Sequence, residues 1–182
     1  MTKIAVLVGS LRKESVNRKF AGALEKLAAG RMEFVYAELA DLPHYNEDLW
    51  DNVPEAVTAL KATIEAADAV LIVIPEYNRT YPGVIKDAID WATRPWGKNS
   101  WAGKPVAITG TSPGVIGTAV AQHHLRTTMV TVGTAVMGQP ELYYAYKPEH
   151  FGEDGAITDE NTKTYLEGWV NSFADWIATT GK

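Results

Sequence analysis

The sequence contains no cysteine among its 182 residues. Disulfides, thiolate catalysis, iron–sulfur ligation and zinc–thiolate sites are therefore excluded. Lysine and arginine number 17 against 22 acidic residues and form no basic stripe, so we expect no nucleic-acid partner. Long apolar runs are missing too, and the run at 4–8 is too short for a signal peptide or a membrane span. We expect a cytoplasmic protein without membrane contact.

Short apolar runs alternate with helical patterns along the chain. The patterns predict strands at 4–8, 32–36, 69–74, 105–109 and 134–137, helices at 16–29, 55–66, 82–93, 116–131 and 158–178, and a loop at 138–158. Thr158 is the predicted N-cap of the last helix. This alternation predicts an α/β fold, a flavodoxin-like three-layer α/β/α sandwich with a five-stranded parallel sheet of order 2-1-3-4-5. We expect one domain over residues 1–182.

Ligands of such sheets bind beyond the carboxyl ends of the strands, where the first segment (residues 9–17) lies. Its side chains include Ser10, Arg12, Ser15 and Asn17, and it leads into a helix N-terminus, which favours a terminal monophosphate. The glycine patterns of Rossmann and Walker A sites are missing. The alternative is a helix capped by Ser15 with polar surface residues before it.

Two more segments follow neighbouring strands. In the second segment (residues 75–83), prolines and a glycine stiffen the backbone, as a flat ring requires, and Tyr77 offers a stacking surface. The alternative is a rigid turn with an exposed tyrosine. In the third segment (residues 110–117), three glycines permit close approach of backbone to a ligand. The alternative there is tight packing of helix on strand.

Two longer motifs resemble the paired signatures of the NADPH-dependent FMN reductases, which include bacterial chromate and quinone reductases and flavin-dependent azoreductases. They read Gly9-Ser10-x-Arg12-x-x-Ser15-x-Asn17 and Pro75-Glu76-Tyr77-Asn78-x-x-x-Pro82-Gly83-x-x-Lys86-x-Ala88-Ile89-Asp90-Trp91. The resemblance extends over residues 3–140. It departs from the family pattern mildly, at Thr80 and Asp87, and in the tryptophans at 91, 96 and 101.

The resemblance implies which residues hold FMN. The phosphate is assigned to Ser10, Arg12, Ser15, Val16 and Asn17, the flanks of the isoalloxazine ring to Pro75, Glu76, Tyr77 and Asn78, and its other edge to Ser112 and Gly114. No catalytic side chain and no metal are implied, because the flavin carries the chemistry.

The resemblance also implies the activity. Electrons pass from NADPH or NADH through bound FMN to a small-molecule acceptor, which is a quinone, an azo compound, free flavin or an oxidised metal ion such as chromate. Family members are similar in forming homodimers or homotetramers. The alternatives are a flavodoxin-type electron carrier and a flavin-binding regulatory module, neither of which oxidises NAD(P)H itself. A phosphohydrolase is disfavoured because the first segment has no cysteine nucleophile.

Further expectations concern Glu76 and four residues outside these assignments. We expect Glu76 to orient neighbouring backbone or to bind across an interface rather than to act as an acid. His123 and His124 are expected at the surface or at an interface rather than as proton shuttles. Arg126 and Glu141 are expected to pair across a subunit contact.

Overall fold

The computed structural model describes residues 1–181, and strands and helices alternate along them. The strands are β1 Thr2–Val8, β2 Met32–Tyr36, β3 Ala69–Val73, β4 Pro105–Ser112, β5 Ala135–Val136 and β6 Tyr143–Ala145. The helices are α1 Val16–Leu27, α2 Glu55–Glu65, α3 Gly83–Thr93, α4 Ala119–Thr131 and α5 Glu160–Thr180, with short 3₁₀ helices at Glu47–Asn52 and Pro148–His150.

The strands form one parallel sheet whose main path is β2-β1-β3-β4-β5. Val6 of β1 lies opposite Tyr36 on one side and Leu71 on the other. β3 is apolar throughout and fully buried, as a parallel strand covered on both faces must be. The predicted strand order and the central position of residues 69–73 are confirmed.

Helices cover both faces of the sheet, as predicted. α1 and α5 pack on one face, where Phe20 and Phe173 are among the buried side chains. α2, α3 and α4 pack on the other face. Two of the three tryptophans between residues 91 and 101 belong to this second core, since Trp91 and Trp101 are fully buried, whereas Trp96 is 90% exposed.

A sixth strand corrects the predicted loop at residues 138–158. β6 pairs in parallel with the end of β4, with Gly110 opposite Tyr143 and Ser112 opposite Ala145. β4 therefore runs to Ser112, three residues past its predicted end, and the sheet has six strands rather than five. The Thr111 hydroxyl donates to the Tyr144 carbonyl oxygen at 2.7 Å, which also holds β6 in place.

The helix starts show which local signals were sufficient. Ser15 is the N-cap of α1, and its Oγ accepts from the Arg18 amide at 3.1 Å, which agrees with the alternative interpretation of the first segment. For α5 the prediction was wrong by one residue, because the Asp159 carboxylate rather than Thr158 caps the helix. α4 begins at Ala119 instead of 116, since Gly117 and Thr118 have positive φ angles that a helix does not accommodate.

Gly110 marks the closest approach between β4 and the end of β3. A Cβ atom at this position would lie 1.9 Å from the Ile74 carbonyl oxygen and 2.6 Å from the Thr118 hydroxyl. Both contacts are too short for any side chain, and the nearer one is to backbone. Residue 110 therefore has to be glycine for β4 to run past the end of β3 into the rest of the third segment.

We expect Gly110→Ala to lower the free energy of unfolding by about 3 kcal/mol, because the sheet must shift to admit the methyl group. Urea denaturation measures this loss. Gly168→Ala in α5 is the matched control, since nothing lies within 4 Å of a Cβ there. It should raise stability by about 0.5–1 kcal/mol through helix propensity. Equal stability of Gly110→Ala and the wild type would contradict the packing argument.

Candidate functional site

The first, second and third segments meet at the carboxyl edge of the sheet, because they follow the adjacent parallel strands β1, β3 and β4. Backbone hydrogen bonds tie them together. The Gly9 amide donates to the Val73 carbonyl oxygen at 2.9 Å, and the Ile74 amide donates to the Thr109 carbonyl oxygen at the same distance. All candidate site residues predicted from the sequence therefore belong to one edge of the molecule.

In the first segment, polar groups surround the start of α1. Ser10 is half-buried, while Arg12 is exposed and has no hydrogen-bond or ion-pair partner in the part of the chain that the structure describes. Ser15 is buried and caps the helix, and the amides of Val16 and Asn17 lie in the first turn, where a helix supplies no acceptor of its own. The arrangement leaves several donors for an anion.

Asn17 joins the first segment to the third. It is 2% exposed, its Nδ2 donates to the Thr111 carbonyl oxygen at 3.0 Å, and its Oδ1 accepts from the Thr111 amide at 2.9 Å. An amide nitrogen has two hydrogens, so one Nδ2–H group is left for a ligand. The sequence suggested only the ligand contact and not this link between segments.

In the second segment, Glu76 binds the start of α4. Its Oε2 accepts from the amides of Val120 and Ala121, each at 3.1 Å, and its Oε1 accepts from the Arg79 guanidinium at 3.0 Å. α4 has no cap of its own, since the Thr118 side chain makes no capping hydrogen bond. Glu76 therefore orients neighbouring backbone, as predicted, and a carboxylate there also complements the helix dipole.

The tip of the second segment is a tight hairpin turn. The amides of Tyr77 and Thr80 each donate to the other residue's carbonyl oxygen, at 3.0 and 3.1 Å. Asn78 and Arg79 between them have φ angles of 51° and 65°, which correspond to a type I′ turn. The turn holds Tyr77 with 44% of its surface exposed. Pro75, just before it, is buried.

Residues 113–116 of the third segment are exposed. The Ser112 hydroxyl donates to the Gly114 carbonyl oxygen at 3.2 Å. Val115 is 92% exposed and Ile116 is 42% exposed. Leu11 in the first segment is also exposed, so all three segments present apolar side chains to solvent at this edge. Apolar groups at the rim of a polar site are typical of a place where a ligand binds.

The residues expected at a subunit contact lie close together within the chain. An Arg126 guanidinium nitrogen lies 3.5 Å from Glu141 Oε1, and their pairing across a subunit contact stays a prediction. Burial, followed by a hydrogen bond to Glu141, raises the pKa of the neighbouring Tyr143 to about 12. His123 and His124 are exposed, as expected, and His123 Nε2 lies 3.4 Å from the Tyr143 hydroxyl.

One cavity near the site was not foreseen from the sequence. It has a volume of about 180 Å³ and lies between the first segment and the residues that follow β2. Its lining comprises Val8, Ser10, Leu11, Arg12, Arg18, Ala37, Glu38, Leu39 and Ala40. Arg18 was missed because it lies one residue beyond the first segment, although an arginine in the first turn of the same helix was a signal that could have been used.

A second cavity lies apart from the three segments. It measures about 950 Å³ and is lined by α1, the start of β2 and residues 146–155.

Residues 1–181 contain no group of three or more histidine and acidic residues that could hold a metal ion. None of the helices in the same range combines the length and the apolar character needed to cross a bilayer.

We expect Glu76→Ala to lower the free energy of unfolding by about 1–2 kcal/mol, because two amides of α4 lose their acceptor. Glu76→Gln is the control, since its carbonyl oxygen still accepts a hydrogen bond, and about half of that loss should remain. Chemical denaturation of the three proteins measures both effects. An unchanged midpoint for Glu76→Ala would rule out a capping role.

Comparisons with known proteins agree with this geometry. The sequence profile of the NADPH-dependent FMN reductase family matches residues 2–149. The chain is 46% identical over 175 residues to a 2-hydroxy-1,4-benzoquinone reductase from a Burkholderia species, with 96% of each chain covered. It is 38% identical over 179 residues to a quinone reductase of Escherichia coli K12, covering 96% of this chain and 95% of that one.

A solved structure is similar over nearly the whole chain. FerB, a flavoenzyme NAD(P)H:(acceptor) oxidoreductase from Paracoccus denitrificans, superposes with a TM-score of 0.97 at 54% identity and covers 99% of both chains. The enzyme interpretation is thereby supported over the electron-carrier and regulatory alternatives. The chain belongs to the NADPH-dependent FMN reductase family and is an NAD(P)H-dependent oxidoreductase with FMN as its cofactor.

Proposed function

We propose that this oxidoreductase reduces quinones with electrons from NAD(P)H, using FMN bound at the three segments. One observation carries the proposal: anion-binding donors and exposed apolar side chains lie together at the carboxyl edge of the sheet. The names of the relatives support a quinone as acceptor, since they include a benzoquinone reductase and quinone reductases. Azo compounds, free flavin and chromate are further acceptors that we propose for the same site.

The phosphate of FMN is assigned to the first segment. The exposed guanidinium of Arg12 lacks a partner within residues 1–181 and suits a bidentate contact with phosphate oxygens. Ser10 offers a hydroxyl, Ser15 fixes the start of the helix, and Val16 and Asn17 present first-turn amides. The donor set fits a dianionic group beside the positive end of a helix dipole.

The isoalloxazine ring is assigned to the other two segments. Pro75 and Glu76 stiffen the root of the second segment, and the hairpin turn at Asn78 holds Tyr77 outward. On the third segment Ser112 and Gly114 form the other edge. Exposed apolar side chains from all three segments lie at this edge and would shield a bound ring from water. When bound, FMN supplies the hydride chemistry, and the protein supplies position and electrostatics.

We also propose that residues 1–182 form a single domain that works as a homodimer or homotetramer in the cytoplasm. Two strongly exposed apolar residues support an assembly. Trp96 is 90% exposed and Val130 is 62% exposed, and both would lose contact with water against a second copy.

Arg12→Ala should weaken FMN binding about tenfold or more, because a charge-assisted contact with the phosphate is lost. The dissociation constant is measured by quenching of flavin fluorescence on titration with the apoprotein. Lys13→Ala is the matched control, since it removes a positive charge from the adjacent position, and only a small change is expected for it. Equal affinities for Arg12→Ala and the wild type would refute the phosphate assignment.

Purified protein with bound FMN should consume NADPH or NADH steadily when a benzoquinone is supplied, without any partner protein. The decrease in nucleotide absorbance measures this directly, and the quinone alone and the nucleotide alone serve as blanks. If nucleotide consumption occurs only with free flavin or chromate and not with quinones, the quinone proposal is wrong. If no acceptor supports nucleotide consumption, the result favours the flavodoxin-type electron carrier instead.

A further inference from the structure

We infer that the cavity of about 180 Å³ beside the first segment is a subsite for the 2′-phosphate of NADPH, and that Arg18 selects NADPH over NADH there. The inference rests on the proposed function, because it places the co-substrate beside the assigned FMN phosphate. The family is named for NADPH, whereas FerB is named for NAD(P)H, so these names do not identify a residue that distinguishes the two nucleotides, which differ only by this phosphate group.

The charges around the cavity favour an anion. Two guanidinium groups, those of Arg12 and Arg18, line it together with the Ser10 hydroxyl. Glu38 is the one acidic residue in this lining, and its Oε1 is already occupied by the Ala40 amide at 2.9 Å. Two positive charges against one negative charge leave a net positive site, and guanidinium groups match phosphate oxygens bidentately.

Arg18 is held in place before any ligand arrives. Its guanidinium carbon lies 4.1 Å from the centre of the Tyr36 ring, and the Tyr36 hydroxyl donates to Glu25 Oε2 at 2.8 Å. Burial, followed by the hydrogen bond to Glu25, raises the pKa of Tyr36, so the ring stays neutral and keeps donating. A guanidinium stacked on a ring loses little further freedom on binding, which favours affinity.

The size and floor of the cavity indicate a terminal group rather than a whole ligand. Complete drug-sized ligands occupy about 300–1,000 Å³, so about 180 Å³ suits a single substituent of a larger molecule. The floor includes Val8 and Leu39, which are 5% and 2% exposed. Arg12 and Arg18 are themselves exposed, so a phosphate can reach both guanidinium groups from solvent.

The position of the cavity separates the two phosphates. Ser10 and Arg12 belong both to the cavity and to the first segment, so the subsite adjoins the assigned FMN phosphate. Arg18 lines the cavity but lies outside the first segment. Arg18 is therefore the residue whose loss should affect NADPH without affecting FMN, whereas a change at Arg12 affects both.

Steady-state kinetics of Arg18→Met holoenzyme with a fixed quinone test the inference. We expect KM for NADPH to rise about tenfold, KM for NADH to change less than about twofold, and kcat to stay the same. Lys13→Met is the matched control, since it removes one positive charge nearby but outside the cavity, and its ratio of the two KM values should equal that of the wild type. Arg18→Lys keeps the charge without the fork and should fall between.

Direct binding gives a second readout that needs no turnover. Calorimetry on the wild-type holoprotein should show tighter binding of 2′,5′-ADP than of 5′-AMP, and Arg18→Met should abolish this preference. A preference that survives in Arg18→Met overturns the inference, and so does an equal rise of both KM values. Loss of FMN from Arg18→Met also overturns it, because the cavity would then belong to the flavin phosphate. Failure of the proposed function is distinct, since the wild type would then not consume NAD(P)H with quinone.

Discussion

The reciprocal hydrogen bonds between Asn17 and Thr111 hold the candidate site together. They join residues 94 positions apart in the chain, and they fix the start of α1 against the end of β4. Since the pair is buried, breaking it would leave two backbone groups and an amide without partners, which costs more than an exposed contact would. The first segment, proposed to bind the phosphate, and the third segment, proposed to border the ring, therefore keep a constant separation.

Glu76 extends the same principle to the second segment. The Glu76 carboxylate caps α4, which follows the third segment, so the geometry of the second segment depends on that of the third. The left-handed residues Asn78 and Arg79 then fix the direction of the turn. Several residues of the family motif thus stabilise the fold itself, and a ligand would bind to a surface that is already rigid.

Sequence periodicity was sufficient for most of the fold, because apolar runs and capping residues act locally. The apolar run at 69–74 predicts the central strand, which β3 confirms over Ala69–Val73, and Ser15 caps its helix as in the alternative interpretation of the first segment. β6 was not predicted, because a three-residue strand is stabilised by pairing with its neighbour rather than by a sequence pattern of its own. The same limit applies to the site. Asn17 and Glu76 could be predicted as site residues, but their hydrogen-bond partners depend on tertiary contacts. Arg18 lies in the first turn of α1, but the cavity that it lines also requires the residues that follow β2.

β6 also changes how the site responds to thermal fluctuation. β3 ends at Val73, opposite Thr109, so the last three residues of β4 extend past it and rely on β6 for strand pairing. β6 comes from a part of the chain about thirty positions later, just ahead of α5. Transient detachment of this C-terminal portion would release the root of the third segment while the remaining sheet stayed folded. Retention of the proposed cofactor is thereby linked to a strand of only three residues.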